Sequence, residues 1–202
     1  MEDKCFSKKH FVLVHGGCHG AWCWFKLKPL MESIGYRVTV LDMAASGINL
    51  TKINEIRTAA EYSEPLIQLM ASLPDDEKVV IVGHSLGGLN IALAMEMFPH
   101  KIAVAVFLTA FMPDSRNTPS FVFDQFAANV PPGGQRQSYQ RYGSVYVVTD
   151  KDEAIPPSFQ WWMIENDGVK DVRMLRGSDH MSMLCIPKQL SSCLHEIAQK
   201  YC

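Results

Sequence analysis

The sequence predicts a one-domain α/β protein, residues 1–202, built on a mostly parallel, doubly wound sheet with helices on both faces. Three features of the chain carry that expectation. Short runs of uninterrupted apolar residues recur, among them Phe11 to Val14, Val79 to Val82 and Ile102 to Leu108. A strand that is apolar throughout has no face to give to water, which is the condition of a parallel sheet covered on both sides. Between these runs lie stretches with apolar residues at helical spacing, such as Leu66, Leu69, Met70 and Leu73. The third feature is Gly83-His84-Ser85-Leu86-Gly87-Gly88, set between one such strand and one such helix.

In chain order, residues 1 to 10 are polar and predict a loose start. Phe11 to Val14 reads as a buried strand ending in His15-Gly16-Gly17, followed by a helix over Ala21 to Met31 that packs Trp22, Trp24 and Phe25. Arg37 to Met43, rich in β-branched residues, is a second strand. Ser63-Glu64-Pro65 marks a helix start, with Ser63 able to cap and Pro65 tolerated in the first turn. The Val79 strand then leads into the glycine-flanked serine and a helix carrying Leu89, Ala92, Leu93 and Met97. From Asp114 to Gly143 the pattern lapses: Pro119, Pro131-Pro132-Gly133-Gly134 and Gln135 to Gln140 break it, with only Phe121 to Phe126 apolar. This segment is an excursion out of the sheet. Val145 to Val148 resumes it, Val169 to Leu175 is the last strand, and Pro187 opens a closing helix with Leu190, Cys193, Leu194, Ile197 and Tyr201 on one face.

Composition excludes several classes of function. With 48% hydrophobic and 20% charged residues the chain is of ordinary globular type, and a formal charge of -2 gives no field for nucleic acid. No apolar run of about 18 residues is present to span a bilayer, and Met1-Glu2-Asp3-Lys4 lacks the apolar core of a signal peptide, so no membrane partner and a cytoplasmic location are expected. Free thiols then follow for Cys5, Cys18, Cys23, Cys185, Cys193 and Cys202. No Cys-x-x-Cys pair occurs, and His15 and His19 flank glycines rather than sharing a helix face, so neither a metal nor a cofactor is expected.

The chemistry centres on Ser85. A serine between glycines on a strand-to-helix turn is held in a strained conformation and pushed to the surface, the geometry of a nucleophile elbow. A serine hydroxyl needs a base, and the base needs an acid to fix its tautomer. His180, in the Gly177-Ser178-Asp179-His180 loop after the last strand, can lean over the carboxyl edge of the sheet towards Ser85. His84 points elsewhere on a tight turn, His195 sits on the closing helix and His100 follows a helix end. Asp179 adjoins His180 and faces away from its ring, whereas Asp150 and Asp152, just past a strand end, are equal candidates for the acid. The N–H groups to receive an oxyanion are that of Leu86 and one from the loop near Gly16-Gly17.

With these residues assembled, the chain resembles the plant methylesterase branch of the α/β-hydrolase superfamily, which holds methyl salicylate, methyl jasmonate and methyl indole-acetate esterases, polyneuridine aldehyde esterase and hydroxynitrile lyases. Four stretches carry the likeness: Phe-Val-Leu-Val-His-Gly-Gly-Cys-His-Gly-Ala-Trp at 11 to 22, Gly-His-Ser-Leu-Gly-Gly at 83 to 88, Ala-Phe-Met-Pro-Asp at 110 to 114 and Asp-His-Met-Ser-Met-Leu at 179 to 184. The resemblance covers residues 10 to about 125 and 141 to the end. It implies an α/β-hydrolase fold with Ser85 as nucleophile, His180 as base, and the amides of Gly17 and Leu86 as oxyanion donors. The acid of the family stands four residues before the proline of an Asp-Lys-x-Ile-Pro segment, which implies Asp152. The resemblance also implies substrate-binding positions at His15, Gly16 and Met181.

Two departures separate the chain from the lyases, which carry threonine where Gly16 stands and lysine where Met181 stands. The resemblance therefore points to a carboxylesterase acting on small methyl esters, and away from cyanohydrin cleavage. A larger departure is length: family members run to about 260 residues and insert a helical cap where this chain has only the 114–143 excursion. A ligand-binding protein that keeps the pocket with little or no turnover, and an inactive shortened relative, are the alternatives that this loss raises. The implied partner is a small ester, and the family also contains homodimers.

Overall fold

The computed structural model describes residues 9–114, 116–128 and 143–202. The polar start with Cys5, and the Pro131 to Gln140 stretch of the excursion, lie outside the described residues. Six strands, β1 (His10–Val14), β2 (Arg37–Leu41), β3 (Val79–His84), β4 (Ile102–Leu108), β5 (Ser144–Thr149) and β6 (Asp171–Leu175), form one sheet in the order β2-β1-β3-β4-β5-β6. Every pairing in it is parallel. The chain first winds outward from β1 to β2, then returns to place β3 on the other side of β1, which makes the β1/β3 boundary the switch point where open α/β sheets bind ligands.

Eight helices flank it among the described residues: α1 (Leu27–Ser33), α2 (Ala59–Tyr62), α3 (Glu64–Ser72), α4 (Gly87–Met97), α5 (Phe121–Ala127), α6 (Pro157–Asp167), α7 (Ser182–Cys185) and α8 (Pro187–Tyr201). The two-residue period of the strands sorts the core into two layers. Val12, Val14, Ile81, Phe107 and Tyr146 pack with α3, α4 and α6 on one face. Phe11, Leu13, Val82, Val106 and Val147 pack with α1 and α8 on the other. Both faces are thus buried, as the unbroken apolar runs require.

Local departures from the sequence reading have physical causes. The helix expected over Ala21 to Met31 is a 3-10 turn, Ala21–Trp24, followed by α1, so that Trp24 is buried while Trp22 and Phe25 stay mostly exposed. Ser63 does not cap α3: its hydroxyl donates to Ala59 O at 2.7 Å and accepts from Asn90 Nδ2 at 2.7 Å. The true start lies one turn earlier, where Thr58 and Glu61 form a capping box for α2. The apolar patch Phe121 to Phe126 is helix α5, seated through Val122, with Phe126 edge-on to Phe159 of α6. Lys101, buried just before β4, ends α3 by donating to Leu73 O at 2.7 Å and Met70 O at 3.2 Å. The five described cysteines form no disulfide, and among the described residues no helix is long and apolar enough to cross a membrane.

Close approach of α4 to the sheet depends on its glycines. A Cβ on Gly87 would stand 2.7 Å from Val14 O, and one on Gly88 would stand 2.0 Å from Phe111 O. Both obstacles are backbone, which has little room to yield. Gly88→Ala should therefore lower stability by about 1–3 kcal/mol, read as a fall of roughly 2–4 °C in melting temperature per kcal/mol.

Candidate active site

β3 delivers Ser85 to the turn before α4 with φ of 54°, a left-handed conformation that a side chain with a Cβ seldom adopts. Hydrogen bonds fix it there: Ser85 O accepts from Gly88 N–H at 3.1 Å and from Phe111 N–H at 3.0 Å. Ser85 as a whole is half-buried. The loop after β1 runs against it, since a Cβ on Gly16 would lie 2.8 Å from Ser85 Cβ and one on Gly17 3.5 Å from the Leu86 side chain. Gly16, Gly17, Ser85 and Leu86 are therefore one neighbourhood, built from the ends of two adjacent strands.

The competition among the acids is decided by contact. Asp152 Oδ2 bonds His180 Nδ1 at 2.8 Å, whereas Asp150 accepts from Gly177 N–H at 2.6 Å and Asp179 from Met181 N–H at 2.8 Å. The Asp152 side chain is fully buried, and its other oxygen accepts the N–H groups of Ala154 and Ile155, each at 2.8 Å. The Thr109 hydroxyl donates to Oδ2, with Thr149 Oγ1 and Gln160 Nε2 each 3.3 Å away. Burial opposes the charge on Asp152, but hydrogen bonds, first from His180 and then from Thr109 and Ile155, outweigh it and hold the carboxyl below its ordinary value. The ion at 152 is thus permanent near neutral pH. It keeps a proton on His180 Nδ1 and leaves Nε2 as the nitrogen that can take another. Among the described residues Ser85 Oγ makes no hydrogen bond to that ring; such contacts are often long without substrate.

His84, at the end of β3, donates through Nε2 to the His180 carbonyl at 2.8 Å, and the two rings lie 4.6 Å apart between centroids. It holds the backbone of His180 through that bond. Thr109 and Gln160 are residues that sequence reasoning left out, and His84 is one that it set aside. Leu108 pairs with His84 across β4 and β3, so Thr109 leaves the sheet level with Ser85, a register that the sequence does not display.

His15 is not available to a ligand. It is fully buried; its Nδ1–H donates to Gly16 O at 2.7 Å and its Nε2 accepts from Met43 N–H at 3.1 Å. That corrects the expectation of a substrate contact and gives it another task. The peptide between Gly16 and Gly17 is planar and trans, so anchoring the Gly16 carbonyl on a buried ring turns the Gly17 N–H the opposite way, out of the core. Met181 is half-buried and packs with the α1/α8 layer. Gly16 has no side chain to offer. His195 bonds Tyr36 Oη at 2.7 Å, and His100 is exposed. No group of three or more His, Cys, Asp or Glu that could hold a metal occurs among the described residues.

A buried carboxylate on one imidazole nitrogen, a strained serine two strands away and two amides beside it can perform acyl transfer. A family model described as alpha/beta hydrolase fold matches residues 9–142. The chain is 44% identical to Methylesterase 1 of Arabidopsis thaliana, covering 96% of this chain and 97% of that protein. It is 43% identical to Salicylic acid-binding protein 2 of Nicotiana tabacum, covering 96% and 98%. The crystal structure of polyneuridine aldehyde esterase superposes with a TM-score of 0.86 at 35% identity, covering 95% of this chain and 99% of that one. The alignment with Methylesterase 1 runs over 256 positions, more than the 202 residues present here, so that relative carries positions this chain lacks.

The buried histidines tie stability to pH. Burial, and secondarily the neighbouring His180, hold His84 down to about 3. Burial, followed by Arg37, holds His10 down to about 4. Both lie below the unfolded value of about 6.5, so the unfolded chain takes up more protons as pH falls. The linkage is neutral above pH 6.5 and destabilises the fold progressively below it, down to about 4 for His10 and about 3 for His84, with His84 alone costing about 2 kcal/mol at pH 5. Melting curves at pH 7 and pH 5 should show a fall of several degrees.

Proposed function

Because the chain belongs to the α/β-hydrolase fold family and, within it, to the plant methylesterases, we propose that it is a serine carboxylesterase hydrolysing small methyl esters of the methyl salicylate, methyl jasmonate or methyl indole-acetate type. The observation that supports this most directly is the pairing of Asp152 with His180 Nδ1 at the same sheet edge as Ser85 in its left-handed turn.

In this reading His180 Nε2 takes the proton of Ser85 as Oγ attacks the ester carbonyl. The negative oxygen formed is received by the N–H groups of Gly17 and Leu86, each such donor contributing roughly 2.7–4 kcal/mol to the transition state. Asp152 stabilises the imidazolium without accepting its proton. Collapse of the tetrahedral intermediate breaks the ester C–O bond, and His180 protonates the departing methoxide to methanol. Water, deprotonated by the same ring, then attacks the acyl-serine and releases the acid. Gly16 and Met181 supply neither the hydroxyl nor the ammonium of the lyases. The positions present in the relatives and absent here are, we infer, the cap between β4 and β5, with 114–143 its remnant; its loss opens the acyl side of the site to water.

The test is a panel of these methyl esters and 4-nitrophenyl acetate. Ser85→Ala should abolish turnover, and Asp152→Asn should lower kcat by about 10⁴-fold by freeing the wrong tautomer. Undiminished hydrolysis by Ser85→Ala would refute the proposal. An active wild type also rules out the binding-only and inactive alternatives.

A further inference from the structure

The Gly17 amide stands between two backbone carbonyls, and a carbonyl oxygen turned towards a developing oxyanion would meet it with negative charge. His15 Nδ1–H donates to the first of them, Gly16 O, at 2.7 Å. The second is held as well: His19 Nδ1 lies 2.7 Å from Gly17 O, the one hydrogen bond that this carbonyl accepts among the described residues. A carbonyl only accepts, so Nδ1 of His19 carries the proton. The half-buried His19 ring stacks on Trp22 at 5.3 Å between centroids and 28°, with the His84 ring edge-on at 6.4 Å.

That bond matters because of Cys18. Its φ of 60° is left-handed, which a residue with a Cβ adopts at a cost, and its exposed side chain gains no burial in return. Rotating the Gly17–Cys18 peptide plane as a unit changes only ψ of Gly17 and φ of Cys18. A half-turn brings Cys18 to about -120°, inside the broad β region, and glycine tolerates the change at position 17. The flip therefore relieves strain, and it swings Gly17 O away from the His19 ring. Backbone preference pulls the peptide one way, and the imidazole holds it the other.

We propose that His19 is a positioning residue of the oxyanion site, a latch that keeps the Gly17–Cys18 peptide in its strained orientation. The role rests on the esterase reading, in which the Gly17 N–H receives the oxyanion. With the peptide flipped, Gly17 O takes the direction that the Cys18 N–H has now, and an acceptor replaces a donor one residue from that amide. His19 itself touches neither substrate nor reacting atoms. The oxyanion forms only on the way through acylation and deacylation, so the latch acts on kcat and leaves KM alone.

Asparagine sets an amide nitrogen where Nδ1 stands, whereas leucine has the same branch and no donor. The experiment measures kcat and KM on 4-nitrophenyl acetate for wild type, His19→Asn, His19→Leu and His19→Leu/Cys18→Gly, and determines the crystal structure of His19→Leu. Leucine should lower kcat by about tenfold or more with KM within about twofold, and asparagine should regain most of that loss. Cys18→Gly removes the penalty on the left-handed backbone and should raise kcat of His19→Leu by roughly threefold or more, a rescue that a merely structural role for the ring does not produce. In the crystal, φ of Cys18 should be negative. Unchanged kcat in His19→Leu, no rescue by Cys18→Gly, or φ of Cys18 still near 60° overturns the latch, and turnover that depends on Ser85 then leaves the esterase reading standing. If no turnover depends on Ser85, the esterase reading falls, and φ of Cys18 in His19→Leu decides the latch: a negative value supports it and a value near 60° overturns it. Should His19→Leu fail to fold, His19→Asp, which sets an acceptor against the carbonyl, takes its place in each comparison.

Discussion

The structure turns on one strained residue. Ser85 occupies a left-handed backbone conformation that serine adopts at a cost, and it stays there because its surroundings leave no alternative. Its carbonyl is held by Gly88 and Phe111, and α4 is pressed onto the sheet closely enough that neither Gly87 nor Gly88 has room for a Cβ. The strain is shared along the same edge. All four described non-glycine residues with positive φ, Cys18, Ala45, Ser85 and Thr109, come within four residues of the carboxyl ends of β1 to β4. Core packing, strongest in the middle of the sheet, supplies the energy that keeps these loops in unfavourable shapes.

A second constraint is electrostatic. Asp152 is an ion with no access to water, and it survives because two backbone amides satisfy one oxygen while side-chain donors surround the other. Those donors arrive from β4, from the end of β5, from α6 and from the loop after β6, so the carboxylate welds together four parts of the fold. His84 adds a neutral clamp on the His180 backbone, and burial keeps that clamp uncharged.

Much of this was legible in the chain because a parallel sheet leaves an unambiguous trace. Strands buried on both faces must be apolar throughout, so β1, β3 and β4 announced themselves, and the glycine spacing around Ser85 announced the turn. What stayed hidden depends on partners far apart in sequence. Nothing near Thr109 says that a carboxylate 43 residues later will accept its hydrogen bond, and nothing near Gln160 says it will be drawn into the core. His15 was misjudged for the same reason: its burial is decided by Met43, which lies on another strand's exit. Ser63 looked like a helix cap because the Thr58 and Glu61 box, although visible, lay one turn upstream. Local rules located the elements, and tertiary contacts assigned the polar residues.

The closing helix also sets a timetable. α8 lies across α1, Lys9 Nζ donates to Ala198 O at 3.0 Å, and Tyr36 bonds His195, so the earliest part of the chain is sealed by the last. At roughly 5–20 residues per second, a ribosome leaves Phe11 and Leu13 without their α8 cover for about ten to forty seconds. A message ending prematurely before Pro187 would release a polypeptide with that apolar surface bare, a substrate for chaperones and proteases rather than an enzyme of reduced activity.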